Sequence, residues 1–350
     1  MKLRWLAAAM QAGCGMLAIQ CAAAAQVEAA VSAGIVNRDP YPPRQVSFPD
    51  GVTGLPDLTY AGVQGYRPLK LDLYLPPAAA NARGPRPVVV YMHGGGWQGG
   101  TPRTTGAFEN WPAVLAQLAA KGYVVASLAY RFKLEAPFPA AIQDVKAAIR
   151  WLRGNASTYN IDKGRFLTWG PSAGGQLAAL AAVSCGVAAL LPAPSRVPPA
   201  ARLAESSALP PPPESECVQG GVGWYGVYDF SVKHDTSPPA GSPAAGDEIY
   251  LGCSARCSPE QQRVASPISY VDRSDPPMLI VHGDHDHTVP VENARRFQAA
   301  LQKAGVKNEM VLEAGIDHSW IGATPEATRH ASLDALQRTF AFIDATIGDK

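Results

Sequence analysis

Arg165-Phe166-Leu167-Thr168-Trp169 runs into Gly170-Pro171-Ser172-Ala173-Gly174 and then into an Ala/Leu-rich stretch ending near Ser184. The first five residues predict a short strand and residues 172–184 a helix, so the G-x-S-x-G sequence falls on a strand-to-helix turn. A turn that sharp forces the serine into a tight backbone conformation. Only small neighbours at positions 170 and 174 avoid collision around it. The Ser172 hydroxyl is then lifted out of the sheet above a helix N-terminus, where negative charge is favoured. The plainer alternative is a glycine-rich turn whose serine caps the helix.

Strands and helices alternate on both sides of this turn. Upstream, Leu69, Leu71, Leu73 and Leu75 alternate with Lys70, Asp72 and Tyr74, which predicts a half-buried strand stopped by Pro76-Pro77. Residues 87–92 are continuously apolar, as in a strand covered on both faces. Residues 111–121 predict a helix ended by Gly122, and 123–129 a strand. Residues 138–153 predict a helix whose Ile142, Val145, Ile149 and Leu152 share one face, with Gly154 as its C-cap. Downstream come strands at 218–225, 277–282 and 309–313 and helices at 292–304 and 329–347. This order implies an α/β domain with a mostly parallel central sheet and helices on both faces.

A serine hydroxyl is a weak nucleophile at neutral pH. It needs a base, and the base needs an orienting acid. Open α/β sheets place such groups in loops at strand C-terminal ends. Two loops qualify: Gly283-Asp284-His285-Asp286-His287-Thr288-Val289-Pro290 and Ala314-Gly315-Ile316-Asp317-His318-Ser319-Trp320. The spacing assigns Asp286 as acid and His318 as base, with Asp284 shaping its loop. His234 and His330 are competing bases, but neither follows the last strand. His282, Asp284, His285, Asp286 and His287 also have the composition of a metal cluster. They lack the i, i+4 helical placement that would aim two histidines at one ion.

A second glycine run, His93-Gly94-Gly95-Gly96-Trp97, follows the strand at 87–92. Acyl transfer puts negative charge on the former carbonyl oxygen, and each preorganised backbone N–H stabilises it by about 3–4 kcal/mol. Gly94, Gly95 and Ala173 are the expected donors, with His93 holding the loop and Trp97 packed beneath it. No Lys-Ser/Thr follows, so the run is not a phosphate loop.

The 350-residue chain is 47% hydrophobic and 17% charged, with 30 Lys+Arg against 29 Asp+Glu. That is too apolar for a disordered chain and too mixed for a multi-span membrane protein, and it lacks the basic excess that binds nucleic acid. Lys2 and Arg4, the apolar stretch 6–19 and Ala23-Ala24-Ala25 have the layout of a secretory signal peptide cleaved after Ala25. The stretch is short for a stable membrane span. Cys14 and Cys21 raise a lipoprotein reading, but Gln11-Ala12-Gly13-Cys14 lacks the aliphatic residue three before the cysteine. Residues 26–58, rich in Pro and Gly, predict an irregular N-terminal arm ahead of a catalytic domain at 59–350. In a secreted or periplasmic protein, Cys185, Cys217, Cys253 and Cys257 form an even set suited to disulfides. Three pairings are open. The favoured one clips Cys253 to Cys257 and joins Cys185 to Cys217 around a Pro-rich surface excursion at 186–216. A Cys-x3-Cys metal site is the alternative.

Further stretches carry a family likeness: Leu71-Asp72-Leu73-Tyr74-Leu75-Pro76, Tyr130-Arg131, Phe138-Pro139-Ala140-Ala141 with Asp144-Val145, and Ser172-Ala173-Gly174-Gly175. With the H-G-G-G-W and G-x-S-x-G motifs, the chain resembles the α/β-hydrolase superfamily over most of residues 66–346. Within it, the likeness is to the esterase branch of hormone-sensitive-lipase-like carboxylesterases. The order Ser172, Asp286, His318 is that of the superfamily, and residues 130–151 look closest to bacterial secreted esterases of the acetylxylan and feruloyl type. The resemblance implies an α/β-hydrolase fold and a secreted carboxylic ester hydrolase working through a Ser-His-Asp triad and an acyl-enzyme. It implies small-molecule or polysaccharide-linked esters as substrates, and no metal or organic cofactor. Pro171 departs from the pattern, replacing the usual Asp or similar polar residue, and should stiffen the turn. The Pro-rich excursion and the disulfides are also unusual. The competing readings are a formamidase-like peptidase or amidase on the same machinery and a non-catalytic binding protein of this fold. Arg131, Tyr225, Tyr228 and Trp320 are candidates to border the pocket.

Overall fold

The computed structural model describes residues 44–81, 84–192, 214–232 and 246–349. Residues 1–25 with Cys14 and Cys21, residues 26–43 of the arm, residues 193–213 of the excursion, and His234 lie outside the described residues. The strands are β1 (Val46–Ser47), β2 (Thr53–Ala61), β3 (Leu69–Leu75), β4 (Arg86–Met92), β5 (Val124–Leu128), β6 (Ile161–Pro171), β7 (Gly220–Trp224), β8 (Met278–Gly283) and β9 (Asn308–Glu313). They form one sheet in the order β1-β2-β3-β5-β4-β6-β7-β8-β9. From β5 through β9 every pairing is parallel, and the three pairings among β1, β2, β3 and β5 are antiparallel. β4 is apolar without interruption from Pro87 to Met92 because it lies inside the sheet with both faces covered, and it is buried along its whole length.

The longer helices are α1 (Trp111–Ala120), α2 (Ala140–Gly154), α3 (Ala173–Val183), α4 (Pro259–Ala265), α5 (Glu292–Ala304) and α6 (Pro325–Ile347). The sheet separates two apolar clusters. One gathers α2, α3 and α5 around Leu71, Val88, Val90 and Ile280. The other gathers α1 and α6 around Tyr91, Trp169, Trp224 and Val281. Successive strand residues thus feed opposite faces, and α3 is buried on every side because it sits between α2 and the sheet.

Two expectations are corrected. The arm is not irregular to residue 58: β1 and the start of β2 lie within it, so the compact unit that holds the sheet, Gln45–Lys350, includes residues ahead of 59. The period was obscured because β2 carries Gly54 and Pro56 and shifts register between Leu55 and Leu58. A proline, which has no N–H to give, is accommodated at such an irregularity. The strand β3 is also more than half buried, since Asp72 and Tyr74 are buried along with the leucines. Asp72 is held there by Arg103, whose Nε donates to it at 2.6 Å.

Disulfides join Cys185 to Cys217 and Cys253 to Cys257. The first ties the end of α3 to the approach of β7. Around it, Lys146 of α2 donates to the Ser184 carbonyl, Arg150 pairs with Glu216 at 2.8 Å, and Arg153 donates to the carbonyls of Ser215 and Cys217. Both ends of the excursion are therefore fixed to one helix.

Candidate active site

β6 ends at Pro171 and α3 begins at Ala173, leaving Ser172 alone at the corner. Its φ is +53° and its ψ −121°, a conformation that L residues avoid and that is found at strained functional turns. The Ser172 N–H donates to the Trp224 carbonyl at 2.8 Å, so β7 pins the corner. A Cβ on Gly174 would stand 2.1 Å from the Met92 carbonyl oxygen, and one on Gly170 would stand 2.4 Å from the Gly174 oxygen. No larger residue fits at either position without moving backbone. The Ser172 side chain makes no capping bond to α3, which removes the helix-cap alternative.

The hydroxyl meets the imidazole of His318 instead, with Oγ to Nε2 at 3.0 Å. On the far side of the ring, Nδ1–H donates to Asp286 Oδ2 at 2.8 Å. The other Asp286 oxygen accepts the N–H groups of Thr288 and Val289 at 2.9 and 2.7 Å. Side-chain exposure is 0% for Asp286 and 15% for His318, so the acid is dry and the base reachable. Burial pushes the Asp286 carboxyl up, but donors from His282 and His318 outweigh it and hold the group well below the usual carboxylate range. It is an anion at neutral pH.

The loops carrying Asp286 and His318 are tied by exchanged carboxylates. Asp284 accepts the Gly315 N–H at 2.7 Å, and Asp317 accepts the N–H groups of His287 and His318 at 2.9 and 2.7 Å. Of the histidines at 282–287, His282 Nε2 faces the Val289 carbonyl at 2.8 Å and Asp286 Oδ2 at 3.3 Å, while His287 pairs with Asp317 at 3.1 Å. Among the described residues no three His, Cys, Asp or Glu side chains gather as metal ligands. His330 is exposed on α6.

The glycine run leaves β4 directly beside the corner, where a Cβ on Gly94 would lie 3.4 Å from that of Ser172. Gly95 has φ +113°, and a Cβ there would collide with the Gly99 oxygen at 2.3 Å. Among the described residues no acceptor takes the N–H of Gly94, Gly95 or Ala173. His93 donates through Nδ1 to the Gly94 carbonyl at 2.7 Å and stacks on Tyr130 at 4.5 Å. Burial lowers its pKa to about 4, so its ring is neutral at pH 7. Trp97 lies beneath the loop, stacked on Tyr250 at 4.2 Å with its Nε1–H on Gln176.

Of the four residues suggested as pocket borders, Arg131 is buried in an ion pair with Asp144, and Tyr228 is stacked in the core on Phe297. Tyr225 and Trp320 do lie at the site: the Tyr225 ring is 4.6 Å from that of His318 and 4.6 Å from that of Trp320. Asp317 and Gln176 escape a reading of the sequence, which takes His282 only as part of a metal-like cluster and not as a partner of Asp286. Only the adjacency of Asp317 to His318 could have marked it.

The BD-FAE family model matches residues 71–301. The chain is similar to Esterase LipC of Mycobacterium tuberculosis (strain ATCC 25618 / H37Rv), 33% identical over 253 residues covering 71% of this chain and 57% of that protein. It is likewise similar to Esterase LipQ of the same strain, 31% identical over 285 residues covering 80% of this chain and 59% of that protein. The chain therefore spans little more than half the length of these curated relatives. Among solved structures, a truncated form of carbohydrate esterase from gut microbiota superposes with a TM-score of 0.65 at 27% identity, covering 85% of this chain and 98% of that one. The sheet order, the serine at the β6–α3 corner and the extent of the matched region lead to one conclusion: the chain belongs to the BD-FAE family and has an α/β-hydrolase fold.

Proposed function

We propose that this protein is a secreted serine esterase that cleaves carboxylic esters, with acetyl or feruloyl esters linked to plant polysaccharide as its substrate class. The observation that carries the reading is the unbroken hydrogen-bond chain from Ser172 through His318 to Asp286, at 3.0 and 2.8 Å. In the proposed cycle Ser172 Oγ attacks the ester carbonyl while His318 Nε2 takes its proton. Asp286 keeps Nδ1 protonated and stabilises the imidazolium. The N–H groups of Gly94, Gly95 and Ala173 receive the oxyanion. Collapse expels the alcohol, protonated by His318, and leaves an acyl group on Ser172. Water, deprotonated by His318, attacks that acyl group and releases the acid.

The carbohydrate side of the proposal is supported by the solved carbohydrate esterase at 27% identity. Export, with residues 1–25 removed as a signal peptide and the unit from Gln45 as the catalytic domain, is supported by the two disulfides, which suit an oxidising compartment. The test is Ser172→Ala alongside the unaltered chain. Wild type should label with a fluorophosphonate and hydrolyse p-nitrophenyl acetate, and the variant should lose label and roughly 10⁵–10⁶ in kcat. Equal turnover by the variant would reject the assignment. A panel of acetyl, butyryl and feruloyl esters on sugar and simple alcohols, set against anilides and formamides, tests the substrate class. Preference for the amides would refute it.

A further inference from the structure

A histidine held at one nitrogen by Asp286 can still swing about that hydrogen bond, so something else must fix its plane. Tyr225 is placed to do this. It follows β7 directly, is 2% exposed, and donates its N–H to the Val281 carbonyl at 2.8 Å. Its ring meets the imidazole of His318 with centroids 4.6 Å apart and planes at 63°. Its hydroxyl lies close to the side chain of Ser319, the residue after His318. The ring's other neighbour is Trp320, packed edge-on at 4.6 Å and fully buried.

The backbone makes the contact unusual. Tyr225 has φ +36°, and across the contact Ser319 and Trp320 have φ +61° and +66°. Non-glycine residues rarely enter this region, and bulky ones least of all. Such strain persists only where the surroundings over-determine it, and it collects at functional sites. Here three strained residues from two loops lie together, and one of them, Tyr225, packs against the imidazole. Gly106 closes the group from a third segment, where an added Cβ would lie 3.5 Å from the Ser319 oxygen and 3.7 Å from the Tyr225 hydroxyl.

We infer that Tyr225 is a positioning residue for His318: its ring wall keeps the imidazole on the line between Ser172 Oγ and Asp286 Oδ2. The inference rests on the esterase reading above. Its physical content is that a reacting group displaced by about 1 Å loses on the order of 100-fold in rate, while substrate binding, which does not depend on the imidazole plane, is unaffected.

The test compares Tyr225→Phe, which keeps the ring, with Tyr225→Leu, which removes it. Tyr225→Met serves in its place if the leucine chain does not fold. The phenylalanine variant should keep kcat within about threefold of wild type, and the leucine variant should lose about 10–100-fold in kcat with KM changed by less than about twofold. A readout independent of turnover is the downfield proton resonance of the His318 Nδ1–H shared with Asp286, expected in wild type and the phenylalanine variant and weakened in the leucine variant. A leucine variant with wild-type kcat and an intact resonance overturns the inference, as does a phenylalanine variant as impaired as leucine. A wild-type chain that shows this resonance pattern but neither labels nor hydrolyses esters overturns the esterase reading and leaves the positioning role standing.

Discussion

His93 has to stay uncharged where it is. Its Nδ1–H holds the Gly94 carbonyl, and its ring is 1% exposed against Tyr130. Burial drops its pKa to about 4, against about 6.5 in an unfolded chain. Between these values the unfolded chain binds the extra proton, so stability is complete above pH 6.5 and declines as pH falls through the window. The loss should approach about 3 kcal/mol near pH 4. Urea unfolding at pH 7 and 4.5 measures it, and His93→Asn should flatten the dependence. Asp286 has the opposite chemistry but the same sign: its lowered pKa makes its contribution full above the ordinary carboxylate range and lost only in stronger acid. Residue by residue, the sequence exposes what chain-local spacing controls. Ser172 is marked by its glycines, and Asp286 and His318 by their distances from preceding strands. Tyr225 and Asp317 act across loops, and no local pattern announces a contact between segments 90 residues apart or the exchange of carboxylates between Asp284 and Asp317.

Among the elements, α2 shows how a helix that reads as amphipathic can have more than one buried side. Ile142, Val145, Ile149 and Leu152 pack toward the sheet as their spacing predicts, yet Lys146 and Arg153 are buried too, at 0% and 3%. They are turned to carbonyls at the ends of the Cys185–Cys217 link. Closing a loop of 32 residues stabilises the fold by about 3–4 kcal/mol in the chain-entropy model. Cys185→Ser with Cys217→Ser should lower unfolding free energy by up to that amount in denaturant titrations. Ester turnover at room temperature should change by less than about twofold, since about 18 Å of helix separates Cys185 from Ser172. A large loss of turnover in the folded double variant would show that the excursion reaches the site. Strand β2 was hidden for a related reason: its pairing with β3 is set by tertiary contact and survives the proline and register shifts that erase its period.

Over the whole molecule, the alternation of strands and helices made the parallel sheet legible, because a crossover of that length permits little else. At the antiparallel edge only β3 was legible, through its alternating leucines, because β1 has two residues and the period of β2 is broken by Gly54, Pro56 and its register shifts. The sheet also sorts its aromatics. Trp111, Trp169, Trp224 and Trp320 all lie on the α1/α6 face, with successive ring centroids 5.2, 5.0 and 5.4 Å apart and nearly perpendicular planes. The series ends on Tyr225 and His318, and the Trp224 carbonyl holds the Ser172 amide. Indoles that close exchange excitation and split each other's ultraviolet bands, so the native chain should show a circular-dichroism couplet that Trp224→Phe weakens, leaving the Trp111–Trp169 pair. If the serine is acylated or phosphonylated as proposed, its amide bond to the Trp224 carbonyl should carry the disturbance to these chromophores. A stopped-flow cell would then read, without any dye, whether the serine is loaded.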